Sequence, residues 1–204
     1  MNQSRGTAAD LVAAARELFA EHGYTGASIR AITQRAGANL GAITYHFGSK
    51  DALYEAAIES VAEPMRSHLR DAAGSAGTPL ERIDRMVRAM FQYLQANPAM
   101  SRLLTQQLAS VRPLPGPALN TLRANIGLMA SLIAEGQQDG SIRPGDPTLM
   151  ALSIGSQPIF LNLVRQALRE GVEIDQDDPA TGKEVVESVA HFVRAGLTNQ
   201  SGAK

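Results

Sequence analysis

Apolar residues recur at intervals of three and four along almost the whole chain, and no stretch alternates apolar with polar residues. That period puts one side chain per helical turn on a common stripe, so the apolar surface can be buried only by packing helix on helix. The punctuation agrees: a capping residue followed by proline occurs at Thr78-Pro79, Asn97-Pro98, Asp146-Pro147 and Asp178-Pro179. Proline suits the first helical position, where its missing N–H would have had no partner. The predicted fold is all-α with about nine helices. The first ends at His22-Gly23; the second follows Ser28, the third spans Leu40 to Phe47, and the fourth covers about 49–73. The others lie near 79–96, 98–111, 117–139, 147–170 and 180–198, with a kink expected where Gly155 and Pro158 interrupt the eighth.

Composition narrows the function. The 204 residues are 44% hydrophobic and 19% charged, as in ordinary globular proteins. The absence of cysteine excludes a disulfide framework and thiolate chemistry. The segment MNQSRGTAADLVAAA lacks the charged and continuous apolar regions of an export signal, and no run approaches the length of a membrane span, so a cytoplasmic protein is expected. No H-E-x-x-H, glycine-rich phosphate loop or G-x-S-x-G elbow occurs, and Asp175, Asp177 and Asp178 lack the glycine and glutamate of a calcium loop. Neither an enzyme nor a bound metal or cofactor is expected.

The net charge of −1 is unevenly spread: residues 1–50 hold five basic and three acidic side chains, and the remainder 14 basic and 17 acidic. The mildly basic front also carries two short helices joined by Gly37-Ala38-Asn39, a helix-turn-helix outline. A helix entering the DNA major groove needs small residues where its backbone nears the duplex, and polar groups that reach phosphates and base edges. The third helix offers Asn39, Leu40, Gly41, Ala42, Thr44, Tyr45 and His46, while Leu40, Ile43 and Phe47 recur at a spacing that docks it inward. Ser28, Arg30 and Thr33 flank it from the second helix, and Lys50 opens the fourth as a phosphate clamp.

The stretch AGANLGAITYHFGSKDALY, residues 36–54, resembles the helix-turn-helix signature of the TetR family of one-component transcriptional regulators. Ala14 to Tyr24 is similar to that family's first helix and its glycine exit, so the resemblance spans roughly residues 8–55. It implies a DNA-binding domain over residues 1–50 and a ligand-binding and dimerisation bundle over 51–204, linked by the helix near 49–73. It implies a homodimer that holds double-stranded operator DNA as a repressor and releases it on binding a small molecule. The alternative from another class is a helical protein-protein adaptor that binds no DNA.

Candidate ligand-lining residues fall on apolar stripes: Met86, Met90, Phe91, Leu104, Leu108, Leu122, Ile126, Met129 and Phe160. Such stripes serve plain core as readily as a cavity. Gln107, Asn125 and Gln157 add amides that can orient a ligand or join helices, and a mostly apolar effector is expected. The resemblance also pairs the last two long helices with their symmetry mates. Leu149, Leu152, Ile159, Leu163, Val186, Val189, Phe192 and Val193 are the candidate interface, on helices apolar around more than one face.

Overall fold

The computed structural model describes the backbone of residues 3–110 and 112–198, and the side chains from residue 8 onward within those ranges except that of Leu108. The described residues form ten helices and no strand. They are α1 (Gln3–Gly26), α2 (Ile29–Arg35), α3 (Ala42–Phe47), α4 (Lys50–Gly74) and α5 (Pro79–Ala96), followed by α6 (Pro98–Leu108), α7 (Gly116–Gln138), α8 (Pro147–Leu163), α9 (Arg165–Val172) and α10 (Pro179–Leu197). Among the described residues no single helix is long and apolar enough to cross a membrane. Two compact units divide the chain. One takes α1 to α3, α4 through Pro64, and Asn97–Thr121; the other takes Met65–Ala96 and everything from Leu122.

The first unit is organised around α1. Leu11, Ala15, Leu18 and Phe19 are buried on one stripe, against Ile32 of α2, Ile43 of α3, and Leu53 and Ala57 of α4. Helix α6 packs on α1 as well and adds Leu103 to this core. Gly23 breaks α1 with φ 68° and ψ 177°, a conformation open essentially to glycine alone. The turn folds Tyr24 back onto Phe19, their rings parallel within 5° at 5.9 Å.

The second unit is built on α5, which buries Ile83, Met86, Val87, Met90, Phe91 and Leu94 and packs against α8 and α10. Arg88 crosses from α5 to α10: its guanidinium meets Glu187 at 2.6 and 2.9 Å and Asp84 at 2.7 Å. The cap-proline reading holds at the helix starts. Thr78 and Glu81 close a reciprocal capping box, and Asp146 and Asp178 accept from the backbone amides of Leu149 and Thr181. Asn97 makes no side-chain cap bond.

The extra helix comes from the penultimate long one. Helix α8 runs on through Pro158, and the break falls at Val164, where α9 turns away by 67°. Gln176, buried in the loop before α10, donates to the Leu161 carbonyl at 3.0 Å. An uninterrupted helix would offer that oxygen to the amide of residue 165. An ion pair between Arg165 and Asp177 holds the new direction.

Gly23→Ala is expected to destabilise the chain by about 1–3 kcal/mol in urea unfolding, the cost of holding an alanine in that glycine-only region.

Candidate functional site

Helix α2 ends in a closed hydrogen-bonded turn that fixes the approach of α3. Gly37 is left-handed at φ 64°, its amide reaches Gln34 O at 3.2 Å, and the next amide, of Ala38, reaches Thr33 O at 2.9 Å. This is the paired bonding that a glycine after a helix end makes possible. Ser28 caps the start of α2 by accepting from the Ala31 amide at 3.1 Å. The turn Asn39-Leu40-Gly41 then leads into six residues of α3, with Ile43 buried and Phe47 half-buried beneath them.

Around α3 the structure gathers Ser28, Arg30, Asn39, Leu40, Gly41, Thr44 and Tyr45 on the surface. Tyr45 is 79% exposed, with its ring edge-on to half-buried His46 at 4.8 Å. Three placements depart from expectation. Leu40 precedes the helix and is 62% exposed, so it does not dock inward with Ile43. Thr33 is only 3% exposed, and its hydroxyl donates to the Ile29 and Arg30 carbonyls of its own helix. Ala42 is buried against the core, beside Ile43 on the inward face of α3.

Lys50 occupies the hinge of this unit. Its ammonium donates to the Tyr24 carbonyl at 2.6 Å and lies 4.4 Å from the centre of the Tyr24 ring. Burial, and after it the charge of Arg112, push Lys50 below its ordinary value. One of its three donors is engaged, which leaves two for an anion. Arg112 stacks on the same ring at 3.8 Å and pairs with Asp51 at 2.5 Å. Burial and a hydrogen bond to Asp51 raise the Tyr24 phenol. Arg112 did not stand out in the sequence, and Tyr24 did so only as the end of the first-helix resemblance; the one signal was an arginine just ahead of the prolines that precede α7.

The candidate ligand residues are divided between the two units. Met86, Met90, Phe91 and Met129 are core residues of the second unit, with Asn125, Ile126 and Gln157 half-buried there. Leu122 and Phe160 are exposed, Phe160 at 60%. Leu104 and Gln107 belong to the first unit, and the Leu108 side chain lies outside the described residues. Buried Gln107 joins helices: it accepts from the Tyr54 hydroxyl at 2.9 Å and donates to Arg112 O at 3.2 Å. The second unit has a polar cleft of about 560 Å³ between α5 and α10, lined by Arg88, Gln92, Gln95, Gln176, Lys183 and Glu187 among others. It uses none of the predicted lining.

Of the candidate pairing residues, Leu149, Leu152 and Phe192 are exposed, Phe192 at 67%, and Ile159, Leu163 and Val186 are half-buried. Val189 and Val193 face the protomer's own core.

Residues 11–57 match the family described as bacterial regulatory proteins, tetR family, and residues 79–193 match the tetracyclin repressor-like C-terminal domain. The chain belongs to the TetR family. Among its relatives, the HTH-type transcriptional regulator RutR of Escherichia coli K12 is 28% identical over 142 residues. That match spans 67% of this chain and 65% of RutR. The HTH-type transcriptional repressor KstR2 of Mycobacterium tuberculosis is 26% identical over 147 residues, 71% of this chain and 72% of KstR2. The fold is shared with FadR from Bacillus subtilis, solved with stearoyl-CoA, which superposes with a TM-score of 0.76 at 19% identity, covering 92% of this chain and 97% of FadR.

Tyr54→Phe is expected to cost about 1 kcal/mol in denaturant unfolding, by leaving the Gln107 carbonyl oxygen without its donor. Tyr54→Phe with Gln107→Met should cost less than the two single changes added together.

Proposed function

We propose that this chain is a DNA-binding transcriptional regulator of the repressor kind, released from a pseudo-palindromic operator by a small, mostly apolar effector. The observation that carries the reading is the outward edge of α3. Asn39, Leu40 and Gly41 in the turn before α3, and Thr44 and Tyr45 on it, are exposed, and the helix is anchored from behind by Ile43 with its approach set by the Gly37 turn. Small residues admit the backbone to the groove, and the amide, hydroxyl and aromatic groups reach base edges. Arg30, Ser28 and Lys50 flank that edge as phosphate contacts.

In this reading residues 1–50 form the DNA-binding head and 51–204 the sensing and pairing part, with α4 as the link. Two protomers pair through α8 and α10, which removes Leu149, Leu152, Phe160 and Phe192 from water and sets two copies of α3 about one helical turn of DNA apart. An apolar portion in the effector is supported by the company the chain keeps: FadR was solved with stearoyl-CoA, a long acyl chain on a charged carrier, and KstR2 is a ketosteroid transcriptional regulator. An adaptor that binds no DNA has no support in a family of regulatory proteins.

Retardation of the DNA flanking its own gene, at two salt concentrations, tests the proposal. The wild-type chain should bind, and less tightly at the higher salt. Lys50→Ala should weaken binding to all sequences and reduce the salt slope by about two, one phosphate contact per protomer. Tyr45→Ala should lose about 1–3 kcal/mol of preference for operator over unrelated DNA. Unchanged affinity in both folded variants would remove the proposed interface.

A further inference from the structure

The segment between α6 and α7 sends one side chain into the head. Gln107, bound by the Tyr54 hydroxyl, holds the Arg112 carbonyl and so anchors the backbone of that segment beside α4. From there the Arg112 guanidinium covers the Tyr24 ring and closes on Asp51 in the first turn of α4. Tyr24 is also the residue whose carbonyl and ring hold the Lys50 ammonium. Asp51 therefore binds Arg112, Arg112 covers the Tyr24 ring, and the same Tyr24 seats Lys50.

Resting on the DNA-binding reading above, we propose that Arg112 is a positioning residue for the phosphate-binding end of α4. It acts in two ways. It neutralises Asp51, a carboxylate that would otherwise repel a phosphate brought to Lys50, and it holds the Tyr24 ring against which Lys50 is aimed. A guanidinium does both at once, because its plane stacks while its edge donates; an ammonium cannot. Arg112 stands four residues before α7, the helix that starts in the first unit and continues in the second. The contact is thus carried in the first unit on the segment that leads into this helix, where Pro113 and Pro115 restrict the backbone.

Operator binding by the full-length chain, measured against salt for wild type, Arg112→Gln, Arg112→Lys and Arg112→Gln with Asp51→Asn, tests this. Arg112→Gln should bind about tenfold more weakly, with a salt slope equal to that of wild type, because Arg112 itself neutralises no phosphate. Arg112→Lys keeps the charge and should fall between the two. Adding Asp51→Asn to Arg112→Gln should recover most of the loss, a rescue that a purely structural role would not show. Wild-type affinity in Arg112→Gln, a slope lowered by about two, or no recovery on adding Asp51→Asn overturns the inference and leaves the DNA-binding reading standing. A wild-type chain that binds no DNA overturns that reading, and the inference with it.

Discussion

A lysine at the start of one helix closes the end of another, and the head is arranged around that contact. The last carbonyls of a helix have no intrahelical donor, and at the end of α1 the Lys50 ammonium fills that role for Tyr24 while lying over its ring. The contact pins the beginning of α4 to the end of α1, and α2 and α3 occupy the 23 positions between Gly26 and Lys50. With both ends of that span fixed and Ile32 and Ile43 buried on the α1 stripe, α3 has little freedom to rotate. Its outer edge is presented by default. Gly23 makes the contact possible, since only its unusual backbone lets Tyr24 fold back within reach of Lys50.

The second unit solves a different problem, that of fixing the long helices α5, α7, α8 and α10 against one another. Apolar burial favours compaction without specifying register. Register comes from polar ties at particular depths: Arg88 from α5 to Glu187 on α10, Arg82 to Glu135 on α7, and the Arg143 amide to Leu197 O at the end of α10. None of these pairs is deeply buried, so each adds little to stability. The bidentate Arg88–Glu187 pair nevertheless selects one sliding position among several that would bury similar area.

The fold was legible because helix boundaries are written locally. Thr78-Pro79, Asp146-Pro147 and Asp178-Pro179 start helices through contacts within three residues of the cap, and Gly37 ends one in the same way. The α8–α9 break was not, because the donor that ends α8 arrives from Gln176, fifteen positions away. The site divides along the same line. Tyr45 and the α3 edge follow from period and position, whereas the Arg112–Asp51 pair spans 61 positions and leaves no local trace. Burial of Thr33 was hidden for a third reason: a threonine can return its hydroxyl to its own helix, and composition does not reveal which way it turns. The apolar stripes were least informative, since Met86, Leu122 and Phe160 share the same spacing yet are core, surface and surface.

A net charge of −1 means that the chain as a whole exerts no long-range pull on DNA. In the proposed reading, affinity must then come from a few short-range contacts per head, each worth little alone. Presenting the head twice changes this arithmetic. Once one copy is seated, the second binds as though at an effective concentration set by the distance between them, and a mismatch of spacing forfeits that gain without touching any contact. Release then requires no remodelling of α3, which the Lys50 contact would resist. A ligand need only favour a different separation of two rigid heads, and its differential affinity for the two separations bounds how far the operator equilibrium can shift. A stiff head and a movable spacing are therefore complementary requirements, and the tight closure of α1, α3 and α4 supplies the first.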